Sequence, residues 1–205
     1  MIANGYNVAV IGYHGSDPYG NTYSTARRAY YGNLGNPHVF FDGGNLVLGG
    51  MSSGSMYSSY TGPASTAAAV PCSFEVEIYG EASGSTYNLI AVARMVDTYA
   101  GTNLVLQVAL TESNIPYTWY TLTEIDHTCR LMVPDASGTS LDFSTQTEHI
   151  IPLQFTMDPT WVDNNCELVI FIQDNTSNDI LQGDYVEIPN LQPYQATAGF
   201  SANNT

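Results

Sequence analysis

Residues 35–43, with the sequence Gly-Asn-Pro-His-Val-Phe-Phe-Asp-Gly, constrain the fold more than any other stretch of this chain. They predict a loop, a proline turn, a short buried strand and a tight turn, because Asp-Gly between apolar runs is a strong hairpin signal. An earlier apolar run, residues 8–11, predicts a strand that is covered on both faces. Residues 24–34 between the two runs predict a helix. The order predicts a β-α-β unit whose closing strand follows Pro37.

The remainder of the first 70 residues predicts a hairpin and one broken helix. Residues 39–41 and 46–48 are short apolar runs joined by Asp-Gly-Gly-Asn. Residues 51–69 are rich in serine and alanine, and the pair Gly62 and Pro63 is expected to interrupt a helix there.

From Cys72 onward the hydrophobic period changes to two, which is typical of half-buried strands. Turn residues separate the successive runs, so they predict an antiparallel sandwich. The candidate strands are residues 74–79, 87–96, 104–110, 150–157, 167–173 and 180–188. Residues 121–132 lack clear alternation and predict either a helix or an extended crossover.

The sequence therefore predicts an α+β, mostly β chain in two parts. Residues 1–70 form the mixed part and residues 72–190 form the antiparallel sandwich. Residues 191–205 are polar and predict a linker or a disordered end.

The charge balance excludes several classes of partner. There are 19 acidic residues against four basic ones, all arginine, which gives a net charge of −15. No basic patch can form, so we expect no nucleic acid and no anionic lipid surface as a partner. No run of about 20 apolar residues is present, so no membrane insertion is expected.

Only 11% of the residues are charged and 15 are tyrosine, so the surface must be largely hydroxyl-rich and aromatic. Such a surface suits an extracellular or cell-surface protein that packs against copies of itself or against glycans. Ordinary acidic solubility is the alternative explanation.

The three cysteines, Cys72, Cys129 and Cys166, include no CxxC pair, so they signal neither zinc nor a redox dithiol. In an oxidising compartment we expect a disulfide between Cys129 and Cys166, with Cys72 free or bonded elsewhere. The alternative is three buried thiols that act as small hydrophobic side chains.

Other residues are weaker candidates for sites. His14 follows a predicted strand end, where open α/β sheets bind ligands, although a simple loop histidine is the preferred explanation. A zinc site around His127 and a calcium site in either of two acidic loops are conceivable. Their members are Glu124, Asp126, His127 and Cys129; Asp158, Asp163, Asn164 and Asn165; and residues 174–179. Asn175 begins a glycosylation sequon, as do residues 203–205. On balance the sequence predicts no bound metal and no cofactor.

Four stretches carry a family likeness: residues 8–14; 36–37 with 41–43; 104–112; and 168–174 with 180–182. Over residues 7–190 the chain resembles a secreted bacterial family related to a 28-kilodalton outer-membrane protein. The resemblance implies a thioredoxin-like domain followed by an immunoglobulin-like β-sandwich. It also implies that Pro37 is a cis-proline.

The chain departs from that pattern in one respect. The first strand and the CxxC helix of a thioredoxin-like domain have no counterpart in this numbering, so the implied thioredoxin-like domain is partial. The missing strand would lie between residues 8–11 and residues 39–41. Thiol exchange needs an attacking thiolate, so redox activity is not expected.

The sequence thus predicts a non-enzymatic extracellular or cell-surface structural protein that self-associates. Strand donation from a neighbour would complete the partial domain and could build a filament. Two alternatives stay open: a fragment of a secreted thioredoxin-like redox accessory protein, and a module that binds glycans or proteins through sandwich loops.

Overall fold

A computed structural model of the chain describes residues 1–32, 35–51, 54–119 and 122–196. It confirms the mostly β class, because these residues form antiparallel strands and two α-helices. The helices are α1 (Thr22–Tyr30) and α2 (Tyr57–Ala68). The strands are β1 (His38–Phe41), β2 (Gly44–Leu48), β3 (Phe74–Ser83), β4 (Thr86–Met95), β5 (Leu104–Glu112), β6 (Ile115–Trp119), β7 (Leu122–Ile125), β8 (Thr128–Val133), β9 (Thr139–Leu141), β10 (Glu148–Thr156), β11 (Cys166–Asp174) and β12 (Ile180–Glu187).

Two sheets pack face to face and form the sandwich. One has the strand order β10-β4-β3, and the other has the order β12-β11-β5-β8, with β9 paired to β5. Their inner faces share one apolar core, to which Leu89, Leu106 and Ile170 contribute side chains that are at most 1% exposed. Burying one such side chain stabilises the fold by about 2 kcal/mol.

Strand β5 is buried on both faces along its whole length, Leu104–Glu112. In a sandwich strand with one solvated face, buried and exposed side chains would alternate. A further layer must therefore cover the outer face of this sheet. That layer comes from the first part of the chain. A second apolar cluster forms there from Ala109, Cys129 and Met132, with Ile11, Tyr13, Tyr23 and Ala136 packed against it.

Helix α1 belongs to this outer layer, and one residue both caps the helix and ties it to β8. The Asn21 side-chain oxygen accepts a hydrogen bond from the Ser24 N–H at 2.8 Å, which satisfies a helix N-terminal donor. The Asn21 amide also donates to the Cys129 carbonyl oxygen at 2.8 Å. Local capping and docking on the sheet therefore depend on the same side chain.

The predicted strand at residues 8–11 is wrong. This segment pairs with no described strand, and Val10 is 36% exposed. Its contact with the sheet is a parallel bridge between Gly12 and Thr128, where the Gly12 N–H donates to the His127 carbonyl oxygen at 2.6 Å. An apolar run needs a neighbour that satisfies its backbone groups before it becomes a strand. The predicted β-α-β unit is therefore not formed in the described residues.

The predicted interruption of the second helix is also wrong, because α2 runs through Pro63. Proline removes the N–H that would bond to the carbonyl of Ser59. Ser59 is exposed, so water can satisfy that carbonyl. The helix buries Ala64 and Ala67 and keeps its serine-rich side in solvent.

Residues 121–132 form neither the helix nor the crossover that the sequence predicts. Strand β7 pairs with β6 as a separate hairpin, and β8 joins the edge of β5. Pairing with β5 supplies the stabilisation that the weak local pattern lacks, because strand formation depends strongly on context. Residue 121 itself lies outside the described residues.

Residues 191–196 lie against the sandwich rather than extending from it. The Gly80 N–H donates to the Gln192 carbonyl oxygen at 2.8 Å, and Leu191 packs on the core. The predicted linker or disordered end at residues 197–205 lies outside the described residues. The division between residues 1–70 and 72–190 stays a prediction.

Candidate interaction surface

The β1–β2 hairpin projects from the outer layer, and its turn follows from two residues. Asp42 and Gly43 both have positive φ, 49° and 80°. Two such residues form the turn type whose twist matches that of a hairpin. The Asp42 carbonyl oxygen accepts from the Ile180 N–H at 2.8 Å, so the turn is bonded to the start of β12. A Cβ at Gly43 would clash with the Asn178 carbonyl oxygen.

Each face of the hairpin makes an aromatic contact with a tyrosine of the helical layer. On one face Phe40 stacks on Tyr31, just after α1, with ring centroids 4.8 Å apart. On the other face Phe41 meets Tyr60 of α2 at 5.7 Å. Both faces of the hairpin are therefore partly covered, whereas most of β2 stays exposed.

The edges of the hairpin are open among the described residues. The Gly49 N–H donates to the Pro37 carbonyl oxygen at 3.0 Å, and Val39 pairs with Val47. Backbone groups alternate in direction along a strand. The N–H and C=O groups of Leu48 therefore point away from β1, and those of His38 point away from β2.

The outer edge of β2 is also apolar. The side chains of Leu46 and Leu48 are 38% and 58% exposed. Exposed apolar side chains and outward backbone groups on the same strand are the features of an edge that pairs with another chain.

A buried arginine holds α1 against the sandwich behind this hairpin. Arg27 is 1% exposed, and its guanidinium donates to the Gln173 side-chain oxygen at 2.5 Å and to the Tyr31 hydroxyl at 2.9 Å. The same guanidinium lies over the ring of Tyr30 at 4.4 Å from its centroid. A cation over an aromatic face is attracted by the negative electrostatic potential that the ring quadrupole creates there. The hydrogen bond from Arg27 to the Tyr31 hydroxyl thus helps to hold in place the ring that stacks on Phe40.

The predicted structural residues Pro37 and Asn175 lie on the same side of the molecule. The peptide bond between Asn36 and Pro37 is cis, directly before β1. Asn175 is in the turn between β11 and β12, and its side-chain oxygen accepts from the Tyr30 hydroxyl at 3.0 Å. Glycosylation of Asn175 stays a prediction.

The structure brings His14 and His127 to the bridge between residues 12 and 128. The His14 Nδ1 lies 2.8 Å from Asp17 Oδ2, and its Nε2 lies 3.3 Å from the Thr128 hydroxyl. The His127 Nδ1 lies 2.9 Å from Glu167 Oε1. Each histidine therefore has a carboxylate partner beside the contact that attaches the N-terminal segment to the sheet.

The carboxylates influence these protonation equilibria. The hydrogen bond with Glu167 raises the pKa of His127, against the lowering effect of burial. For Asp17, burial raises the pKa, but hydrogen bonds from His14 and from the Tyr19 backbone outweigh it and lower the pKa. Within the described ranges no group of three or more His, Cys, Asp or Glu side chains is arranged to hold a metal ion.

The expected disulfide between Cys129 and Cys166 is not formed, and the sheet explains why. Cys129 belongs to the cluster on the outer face, whereas Cys166 belongs to the core between the two sheets. Both thiols are buried, which raises the pKa of each to about 12. Cys72 is an exposed free thiol.

The two acidic loops use their carboxylates within the protein. Asp158 accepts from the Thr160 N–H at 2.8 Å, and Asp163 accepts from the Tyr87 hydroxyl at 3.0 Å. Asp174 accepts from the Tyr99 hydroxyl at 2.9 Å and from the Thr176 N–H at 2.8 Å. These groups stabilise turns and buried tyrosine hydroxyls.

Sequence reasoning did not identify the Arg27 contact or the exposed leucines of β2. The signal for the first is an arginine in a helix with no acidic residue one turn away, where Tyr23, Tyr30 and Tyr31 stand instead. The signal for the second is the run Leu46-Val47-Leu48, which is apolar on both sides of a strand.

Comparison with known proteins shows similarity at the level of the fold. No protein-family model matches the chain, and no curated protein matches it significantly. HBP35 of Porphyromonas gingivalis superposes on 87% of this chain with a TM-score of 0.63 and 13% sequence identity. The chain spans 62% of that structure's length. A domain of the outer membrane lipoprotein Omp28 from Porphyromonas gingivalis matches 62% of this chain and 94% of its own length, with a TM-score of 0.43 and 14% identity.

Among the described helices, none is long and apolar enough to cross a bilayer.

Proposed function

We propose that the chain is a non-enzymatic structural protein of the cell surface or extracellular space that self-associates by β-strand addition. The observation that carries this proposal is the β1–β2 sheet, whose edges are open and whose Leu46 and Leu48 side chains are exposed. An isolated two-stranded sheet is marginal in water, and further strands would add to the stability that this one gains from packing against helices. A second copy of the chain offers such a strand without any other partner.

The two open edges differ, which favours a filament over a closed dimer. The β2 edge presents Leu46 and Leu48, whereas the β1 edge presents the backbone of His38. Pairing β2 of one copy with β1 of the next is a head-to-tail contact. Contacts of this type form open chains when their rotation does not close a ring.

The β2 edge carries few of the features that prevent edge pairing. Natural edge strands are protected by lysine, proline, inward charges or bulges. The chain has no lysine, and β2 contains no proline or charged residue. The register irregularity of this hairpin is a bulge at the turn end of β2, where Asn45 and Leu46 lie opposite Phe40, and the pairing of Val47 and Leu48 beyond it is regular. We therefore expect β2 to be the edge that a neighbour approaches.

The finer description of the fold is part of the same proposal. We interpret α1, the β1–β2 hairpin and α2 as the second half of a thioredoxin-like unit, and the sandwich as immunoglobulin-like. The recurrence of the arrangement in HBP35 over 87% of the chain supports a shared architecture. The sequence has no CxxC, and Cys129 and Cys166 are buried thiols with raised pKa values. These observations favour a structural role over a redox one.

A cell-surface or extracellular location is supported by composition. A surface without lysine, and with few charges of either sign, has a weak barrier to contact with copies of itself once salt screens the acidic groups.

The substitution Leu48→Lys tests the proposal. Its side chain is 58% exposed, so the fold should tolerate the change, while the added charge on the β2 edge should prevent pairing. We expect sedimentation velocity and electron microscopy to show oligomers or filaments of the wild-type chain and monomers of the variant. Wild-type protein that stays monomeric at all concentrations would overturn the proposal.

Val96→Lys is the matched control. Val96 is 54% exposed and follows β4, and its substitution adds the same single charge away from the hairpin. It should assemble like the wild type, and thermal unfolding should be alike in the two variants. Equal loss of assembly in both would show that total charge, rather than the β2 edge, controls association.

A further inference from the structure

A second surface lies on the outer face of the β10-β4-β3 sheet, away from the β1–β2 hairpin. A shallow cleft of about 570 Å³ is open there, with the sheet as its floor and residues 193 and 194 as one wall. This volume lies within the usual range for small-ligand sites, about 300–1,000 Å³.

The floor of the cleft carries a row of planar polar side chains. Register pairs Asn88 with Glu81 on one side and with Gln154 on the other. The Gln154 Nε2 donates to Asn88 Oδ1 at 2.7 Å. Each carboxamide has two donor hydrogens and an oxygen with two lone pairs, so this single bond leaves most of their capacity for a ligand. Glu81 adds acceptor oxygens at the end of the row.

Apolar and aromatic groups adjoin this row. Ile90 and Pro152 are opposite each other in the sheet, one step along from Asn88 and Gln154. Tyr194 forms the wall, and its ring meets Tyr79 edge-on at 5.4 Å. The bond from the Gly80 N–H to the Gln192 carbonyl oxygen holds this segment on the sheet. The aromatic wall is thus positioned before any ligand arrives.

We propose that this cleft binds a neutral oligosaccharide. A sugar ring has an apolar C–H face and a rim of hydroxyl groups, and the cleft offers an aromatic and aliphatic patch beside carboxamides and a carboxylate. Tyrosine combines an apolar ring with a polar tip, which suits such a mixed ligand.

Charge restricts the class of sugar further. The chain has a net charge of −15, and Glu81 lies in the cleft itself. The nearby Arg94 is held between Glu77 and Glu148 at 2.6 Å from each, so its charge is compensated within the protein. These negative charges would repel an acidic glycan, whereas they would not weaken the binding of a neutral one. The site lies on a sheet face and not on the sandwich loops that the alternative prediction from sequence named.

Affinity electrophoresis of the full chain tests this inference. Native gels would contain one of three neutral polysaccharides (dextran, laminarin or galactomannan) or hyaluronate as an acidic comparison. We expect at least one neutral gel to retard the protein and hyaluronate not to. Tyr194→Ala should weaken the retardation about tenfold, because it removes the aromatic wall.

Tyr185→Ala is the control, since Tyr185 is a 40% exposed tyrosine on β12 of the other sheet. It should be retarded like the wild type, and thermal unfolding should show that both variants are folded. Unchanged mobility of the wild type in every neutral gel would refute the site. So would retardation by hyaluronate alone, or full retardation of the Tyr194→Ala variant.

Discussion

Arg27 shows how one side chain can join two layers without an ion pair. Among the described residues, no carboxylate lies within ion-pair distance of its guanidinium. Hydrogen bonds to Gln173 and Tyr31, and the faces of two tyrosine rings, replace that partner. Arginine tolerates such a site better than lysine would, because its charge is delocalised and weakly hydrated.

The pair of His127 and Glu167 predicts a dependence of stability on pH. The pKa of His127 is raised in the folded state, so folding favours the protonated ring. The resulting stabilisation is fully present below the unfolded value of about 6.5. It is lost as the pH rises through the higher folded value. Glu167→Gln should therefore lower the unfolding temperature most at acidic pH and least at alkaline pH.

Unfolding temperatures measured across that range would check this expectation. Glu75→Gln is a suitable control, because it removes the same charge from an exposed position on β3. A difference between wild type and Glu167→Gln that is constant with pH would show that His127 is not the group responsible.

Among the elements, the β1–β2 hairpin was the easiest to predict, because its signal is local. Asp42 and Gly43 set the turn, and the apolar runs on either side fix the strands. The predicted strand at residues 8–11 failed for the opposite reason, since its formation depends on a partner that no described element supplies. Strand β8 was missed because its stabilisation comes from pairing with β5. Local chemistry is visible in a sequence, whereas long-range pairing is not.

Gly43 makes the hairpin depend on one position. A Cβ there would meet the Asn178 carbonyl oxygen, and the residue's φ of 80° is unfavourable for any L side chain. We expect Gly43→Ala to destabilise the protein by about 1–3 kcal/mol, measured by chemical denaturation.

Gly84→Ala separates the two causes. Gly84 has a φ of 65° in the turn between β3 and β4, but a Cβ there would meet nothing within 4 Å. Gly84→Ala should lower the free energy of unfolding by about 1 kcal/mol, because only the backbone conformation becomes unfavourable. Equal losses for the two variants would mean that contact with Asn178 contributes nothing.

For the whole molecule, burial was the property least visible in the sequence. The cleft beside Tyr194 combines three strands and the segment after β12, so no single stretch of sequence could reveal it. The exposed leucines of β2 were hidden for a similar reason, because Leu46 and Leu48 read as core residues until the structure leaves them uncovered.

The net charge predicts how self-association responds to salt. Copies that each carry −15 repel one another, while strand pairing is short-ranged. Raising the ionic strength shortens the Debye length from about 30 Å at 0.01 M to about 10 Å at 0.1 M, so association should strengthen. Light scattering across a sodium chloride series would measure this. Weaker association at higher salt would indicate that ion pairs, and not strand edges, hold the copies together.

The burial of β5 on both faces has a consequence for anyone who dissects the chain. Removing residues 1–70 would not release a ready-made sandwich, because the sheet would then expose Val105, Ala109 and Phe171 to water. The five-stranded sheet therefore needs both of its neighbours, the other sheet on one face and the outer layer on the other. An engineer who wants the sandwich alone must first replace that apolar face with polar side chains.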